Sequence, residues 1–237
     1  MKEESKIVAQ NPLLQQALVS GSAVLNMDCI DVMKQIPDNF FNLAIVDPPY
    51  GIGENGQRNV TGDRPTAKWK NPKSQHYVTF DDSEIPTAEY WEQLFRVSKN
   101  QIVWGGNYFT EYLPPSKGWI VWDKQADIKE HLSMCELAWS SFDRKCNKFE
   151  YLWAGFKKKH QVERIHPTQK PIDLYAWILL HYAKEGDLIL DTHLGSASIA
   201  IACHREKFSL VGCELIEEYY LAGLKRLENE QMQTTLF

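Results

Sequence analysis

Two apolar runs that each stop at an aspartate constrain this chain more than any other feature. Leu43-Ala44-Ile45-Val46 runs into Asp47-Pro48-Pro49-Tyr50, and Leu188-Ile189-Leu190 runs into Asp191-Thr192-His193-Leu194-Gly195-Ser196-Ala197-Ser198. A short run of branched residues without polar alternation reads as a strand covered on both faces, which calls for a parallel sheet with helices on each side. The two prolines end the first run: each lacks an N–H and fixes φ, so the carbonyls around them are not consumed by a continuing ladder. The second run ends differently, in a turn of small residues followed by the helical pattern Ile199-Ala200-Ile201-Ala202-Cys203. A strand, a small-residue turn and a helix N-terminus let a ligand approach the backbone closely. The next run, Phe208 to Cys213, ends at Glu214. An acidic residue about twenty positions beyond such a turn is where a Rossmann-like site holds ribose hydroxyls, so an adenosine-bearing cofactor is implied.

The proline turn offers a carboxylate, free carbonyls and an aromatic face together. The Asp47 carboxylate and the Pro48 carbonyl can accept both protons of an exocyclic amine while Tyr50 stacks on the ring that carries it, and stacking is worth roughly 1–3 kcal/mol per base. The same four residues would also serve merely to end a strand. Trp104-Gly105-Gly106-Asn107-Tyr108-Phe109 follows another strand pattern and is equally open: it suits either an approach to the substrate pocket or a plain strand-to-helix turn.

Further strands are expected at Gln101-Ile102-Val103-Trp104, Gly118-Trp119-Ile120-Val121-Trp122 and Glu136-Leu137-Ala138-Trp139. Helices are expected over residues 87–97, 171–183, the latter with Pro171 as its first residue, and 221–232. Strands alternating with helices predict an α/β fold with a doubly wound, mostly parallel sheet. A chain of 237 residues can bury one substantial core, so a single domain over residues 1–237 is the economical count. Five cysteines without C-x-x-C spacing suggest neither a zinc site nor a disulfide framework, and no metal is expected. With no membrane-length apolar segment and no secretion signal at Met1 to Lys6, a cytoplasmic setting is expected.

Asp-Pro-Pro-Tyr, then His166-Pro167-Thr168-Gln169-Lys170-Pro171, then residues 191–198, in that order, resemble the β-class amino-methyltransferases that act on DNA with S-adenosylmethionine. The resemblance runs from Asn26-Met27-Asp28 to Glu214. It implies a seven-stranded Rossmann-like sheet with an antiparallel hairpin at one edge, and a bacterial or phage-encoded enzyme. It further implies that Asp47, Pro48, Pro49 and Tyr50 are catalytic. The cofactor residues would be Asp28 at the adenine region, Glu214 at the ribose, Gly195 and Ser196 on the methionine side, and Thr168 and Lys170 at the carboxylate, with Asp47 and Asp191 beside them. Adenine N6 is the target by this reading, because members with Asp rather than Ser at the first position of the motif are mostly adenine-directed; cytosine N4 is the alternative. The chain departs from the family where Pro-Phe and a second glycine are usual, carrying Thr192, His193 and Ala197. An alanine in a positive-φ turn is strained.

Two segments are basic. Residues 51–77 hold Arg58, Arg64, Lys68 and Lys70, and residues 145–164 hold Lys157, Lys158 and Lys159 among Phe149, Tyr151, Trp153 and Phe156. Both are expected to contact double-stranded DNA through phosphates, the second also by stacking or wedging of its aromatics, despite a net charge of −5. The final residues Gln233-Thr234-Thr235-Leu236-Phe237 resemble the short motif that binds bacterial sliding clamps, or fold back on their own domain. Oligomeric state is open, a homodimer included. Two other readings compete: a nicotinamide oxidoreductase, for which the Gly195 turn is not a G-x-G-x-x-G, and a DNA-binding relative that has lost catalysis.

Overall fold

The computed structural model describes residues 22–53, 78, 80–125, 133–154, 157–158 and 164–234. Strands are numbered in chain order. One eight-stranded sheet runs in the order β1 (Ser22–Leu25), β10 (Ser209–Cys213), β9 (Leu188–Asp191), β2 (Leu43–Val46), β3 (Gln101–Trp104), β5 (Cys135–Ser140), β4 (Gly118–Asp123), β6 (Asn147–Glu150). Its pairings are parallel except those of β5, which is antiparallel to both β3 and β4. A second, two-stranded piece pairs β7 (Trp153–Ala154) with β8 (Lys157–Lys158). The helices are α1 (Cys29–Lys34), α2 (Ala88–Val97), α3 (Ile172–Tyr182), α4 (Ser198–Glu206) and α5 (Glu217–Thr234).

The continuous apolar runs are buried on both faces, as a parallel sheet requires. In β2, Leu43 and Ile45 enter one core with Leu174, Ile178 and Leu179 of α3 and Ile199 to Cys203 of α4. Ala44 and Val46 enter the other with Val32 and Met33 of α1 and Tyr90, Trp91 and Leu94 of α2. The period of two along the strand thus feeds two helical layers. Each fully buried Leu or Ile contributes roughly 1.5–3 kcal/mol, so β2, fully buried over its whole length, is a spine of the fold.

The sheet has one strand more than expected. The hairpin of β4 and β5 lies near one end of the sheet but not at its edge, because β6 adds outside β4. This corrects the reading of Phe149, Tyr151 and Trp153 as stacking or wedging groups, while Phe156 lies outside the described residues. Phe149 stacks on Tyr151 (5.7 Å, 12°) and tilts against Trp177 (5.4 Å), while Tyr151 and Trp153 are each 5% exposed. The Tyr151 hydroxyl donates to Asp173 Oδ2 and Trp153 Nε1 to the Gln169 carbonyl. Tyr151 and Trp153 are core, anchored at their polar ends, and partly buried Phe149 packs against them. Pro171 is the cap of α3 (φ −67°, ψ 146°) rather than its first helical residue. The last helix takes in Gln233 and Thr234, and residues 235–237 of the expected clamp motif lie outside the described residues. Among the described residues no helix is long and apolar enough to cross a membrane.

Candidate active site

The topology gathers the acidic residues. β2 pairs with β9 (Ala44 opposite Leu190), β9 with β10 (Asp191 opposite Gly212) and β10 with β1 (Cys213 opposite Leu25). Asp47, Asp191, Glu214 and Asp28 therefore stand at the carboxyl ends of four neighbouring parallel strands. The chain proceeds from β9 to β10 in one direction and from β2 to β3 in the other. The switch point of the sheet, where open α/β folds bind ligands, accordingly falls between Asp191 and Asp47.

On the Asp47 side, both carboxylate oxygens are engaged. The Tyr50 hydroxyl donates to Oδ1 at 2.6 Å, and the Lys170 ammonium pairs with Oδ2. Lys170, expected to face a cofactor carboxylate, has a side chain only 4% exposed and a second carboxylate, Glu136, at 3.3 Å. Glu136 in turn pairs with Lys124 at 2.5 Å. Charges thus alternate along a line that is buried at Lys170 and half-buried at its other members: Lys124, Glu136, Lys170, Asp47. Burial alone would lower the Lys170 ammonium, but Asp47 and Glu136 hold it above the ordinary lysine range. Burial likewise pushes the Glu136 carboxyl up, and the two lysines outweigh it and hold it below the ordinary range. The Tyr50 hydroxyl is driven well above its usual value by burial and by Asp47, so it remains a proton donor.

The turn is fixed from outside by a residue the sequence did not single out. Buried Asp82 accepts the Tyr50 N–H (2.7 Å) and the Gly51 N–H (3.1 Å) on one carboxylate oxygen, and its own carbonyl accepts the Gly53 N–H at 2.9 Å. The Tyr50 ring stacks with Tyr108 (5.0 Å, 17°) and meets Phe109 edge-on (6.0 Å, 67°). Gly105 has φ +67°, and a Cβ there would lie 2.3 Å from Tyr50 Cε1 and 2.6–2.7 Å from the two adjoining ring atoms. Those distances put the Gly105 backbone over the face of the ring. The segment is a glycine turn that leads into a single 3-10 turn, Gly106–Tyr108, packed on Tyr50.

On the Asp191 side, Gly195 has φ +51° and its N–H donates to Glu214 Oε2 at 2.8 Å, while Glu214 Oε1 accepts the Ile216 N–H at 2.9 Å. Each carboxylate oxygen retains acceptor capacity for a hydroxyl. Burial raises the Glu214 carboxyl against those backbone donors. Ala197 does adopt the strained turn conformation, φ +57°. Its methyl is accommodated because α5 presents Gly223 there, where a Cβ would come within 3.1 Å of Ala197 Cβ. Ser196 is buried; its carbonyl accepts from Arg226 (2.7 Å) and its hydroxyl meets Ser198 Oγ (3.0 Å). His193 packs edge-on against Tyr90 at 5.5 Å, and burial lowers its imidazole to about 4, so it is neutral near pH 7. Thr168 is exposed and meets His166 Nδ1 at 3.0 Å, and the His166 ring lies against Gly195. Asp28 caps α1 by accepting the Ile30 and Asp31 N–H groups.

Of the other expected site residues, Arg58, Arg64, Lys68, Lys70 and Lys159 lie outside the described residues. Lys157 and Lys158 are placed by their backbone alone, in β8. Glu136 had a readable signal, a charge inside the apolar strand pattern Cys135 to Trp139. Asp82 had none, since Asp81-Asp82-Ser83 reads as a solvated loop.

A switch point flanked by an Asp-Pro-Pro-Tyr turn on one side and a positive-φ turn with an opposed carboxylate on the other defines a Rossmann-like α/β protein of the methyltransferase type. Residues 41–225 match the DNA methylase family model N6_N4_Mtase, and the chain belongs to that family. It is 32% identical to the type II methyltransferase M2.DpnII of Streptococcus pneumoniae, over 87% of this chain and 90% of that protein. It is 25% identical to the putative methylase YubD of Escherichia coli K12, again over 87% and 90%. Among solved structures, the M1.HpyAVI–SAM complex shares the fold with a TM-score of 0.55 at 17% identity, covering 87% of this chain and all of that one. The cytosine-N4-specific PvuII DNA methyltransferase does so with a TM-score of 0.55 at 12% identity, covering 86% and 85%.

Proposed function

We propose that this protein transfers the methyl group of S-adenosylmethionine to the N6 amine of an adenine turned out of duplex DNA. The observation that carries the reading is the pair of strand-end sites on neighbouring β2 and β9. One offers acceptors for an amine beside an aromatic ring, the other a carboxylate cradle for a nucleoside. Methyl transfer needs those two sites adjacent, because the attacking nitrogen and the methyl group must meet in line at near-contact distance.

The residues suit the cofactor. Glu214 has lone pairs to spare for ribose hydroxyls, Gly195 and Ala197 hold a positive-φ turn, and buried Asp191 is matched to a positively charged group. When bound, the cofactor supplies an activated methyl group on a cationic sulfur. The chain supplies the rest. Asp47 and the Pro48 carbonyl accept the amine protons, which favours a more pyramidal nitrogen and exposes its lone pair. Tyr50 stacks on the base, at a cost of a few kcal/mol for unstacking it from the duplex. The line of charges from Lys124 to Lys170 holds Asp47 in place. Adenine is preferred on the Asp at the head of the turn. The relatives' description as type II methyltransferases supports DNA as substrate, with Arg58, Arg64, Lys68, Lys70 and Lys157 to Lys159 as phosphate contacts.

The test is tritiated-methyl incorporation into unmethylated plasmid DNA, followed by base-resolved mapping of the product. Asp47→Ala should lower turnover by roughly 10²–10³-fold, the range seen when a dedicated electrostatic contact to the reacting group is removed. The far-ultraviolet circular dichroism should not change. Label on cytosine N4 would replace adenine as the target, and full turnover by Asp47→Ala would remove the mechanism.

A further inference from the structure

We propose that Tyr108 is a stand-in for the target base: its ring occupies stacking surface on Tyr50 that the base takes over, and the base enters by displacing it. The inference rests on the reading of Tyr50 as the base-stacking residue and goes one step beyond it, to a residue that must move.

Three observations support it. Tyr50 and Tyr108 form a near-parallel stack, 5.0 Å between centroids and 17° between planes, whereas the neighbouring Phe109 meets Tyr50 only edge-on. A flat ring in parallel contact is the arrangement a base would adopt, and part of the Tyr50 face is already closed by the Gly105 backbone. The two adjacent aromatics are held very differently. Phe109 is fully buried against Trp91 at 4.9 Å, while Tyr108 is 42% exposed. The backbone that carries Tyr108 is pinned, by Gly105 N–H to the Leu137 carbonyl (2.9 Å) and Tyr108 N–H to the Gly105 carbonyl (2.8 Å). Rotation about the side-chain bonds is therefore the motion left to the ring, and solvent is on its open side. Finally, the Tyr50 hydroxyl donates to Asp47 Oδ1, which fixes the ring that the base would stack on beside the proposed amine acceptor. The stacking face is thus covered by the chain's own tyrosine, while Asp47 Oδ1 accepts one bond and keeps capacity for an amine. A target base must open the ring contact, and Tyr108 is its exposed partner.

A pocket wall and a stand-in give opposite signs on mutation. The probe is a duplex carrying 2-aminopurine at the base that the methylation map identifies, whose fluorescence rises when the base leaves the stack. Removing a competing aromatic stack, as in Tyr108→Ala, should raise the flipped fraction and lower the apparent Kd for the duplex by about two- to tenfold. Calorimetric cofactor affinity should be unchanged, which shows that the variant is folded. Tyr108→Phe keeps the ring and should reproduce the wild-type fluorescence. Weaker or unchanged base capture by Tyr108→Ala would make Tyr108 a fixed wall or a bystander and overturn the proposal. Tyr50→Ala separates the two levels: it should lose the fluorescence gain, and if it does not, the reading of Tyr50 itself fails. Absence of any methylated base would remove both together.

Discussion

Asp191 is where burial and charge are most at odds. Its carboxyl is raised to about 8, chiefly by burial and further by Asp47 and Glu214, against the opposing His193 N–H and Lys170. In the unfolded chain an aspartate ionises near 4. Between about pH 4 and 8 the native chain therefore holds a proton that the unfolded chain does not, so this residue makes stability fall as pH rises through that window. A cation bound beside it reverses the balance by favouring the ionised form. Cofactor binding should thus expel a proton below pH 8, and affinity should climb with pH and level off above about 8. Calorimetry at pH 7 in two buffers of different ionisation enthalpy should detect release of roughly one proton by wild type and none by Asp191→Asn. Proton release by Asp191→Asn, or none by wild type, would place the cofactor cation elsewhere. Thermal melts give an independent reading: relative to wild type, Asp191→Asn should gain stability progressively from pH 4 to 8.

At the scale of elements, the Asp47–Tyr50 turn is a short stretch after β2 whose shape depends on a residue thirty-odd positions away. Asp82 is 4% exposed and accepts two N–H groups of the turn. Asp82→Ala would orphan both donors, at a cost of about 1–3 kcal/mol each where buried, and release the Tyr50 backbone. We expect a lowered denaturation midpoint together with a fall in kcat at saturating cofactor, both largely recovered in Asp82→Asn, which keeps an acceptor oxygen. A lowered midpoint with unchanged kcat would make Asp82 structural only. Contacts of this kind mark the limit of sequence reading. The runs at Leu43, Gln101 and Leu188 were legible because strands buried on both faces show no alternation, and the turns after them because proline and small residues leave a local mark. β1 and β6 were not read as strands. The first is four residues long, and the second, Asn147-Lys148-Phe149-Glu150, is an edge strand with only Phe149 turned inward. The aromatics near it looked like a binding surface for the same reason, since burial against α3 is a tertiary fact. Asp82 reaches the site from a loop, so no local pattern reports it, and Glu136 shows only as a charge inside an apolar strand pattern whose partners lie on other elements. The strained turn at Ala197 was legible; the glycine of α5 that makes room for its methyl was not.

For the molecule as a whole, the five parallel strands set the chemistry by position alone. Aligned strand ends bring Asp28, Glu214, Asp191 and Asp47 side by side, and antiparallel β5 returns Glu136 to the same end beside β3. That rim gathers carboxylates offset only in part by Lys170 and Lys124, and the chain as a whole carries −5. Attraction of a polyanion must therefore come from elsewhere, and the basic stretches around Arg58 to Lys70 and Lys157 to Lys159 are the segments we propose for it. Counterion release makes this measurable: log Kobs falls with log salt by about 0.9 for each phosphate neutralised on duplex DNA. Fluorescence-anisotropy titrations of wild type over a range of salt should give a steep slope in spite of the negative net charge. Replacing Arg58, Lys68 and Lys70 by alanine together should flatten that slope by about 2–3 and weaken binding equally on methylated and unmethylated sequences. Asp47→Ala should leave the slope alone, since it touches no phosphate. A flat wild-type slope would mean that the acidic rim is not offset by any phosphate contact, and the choice of DNA as substrate would fall with it.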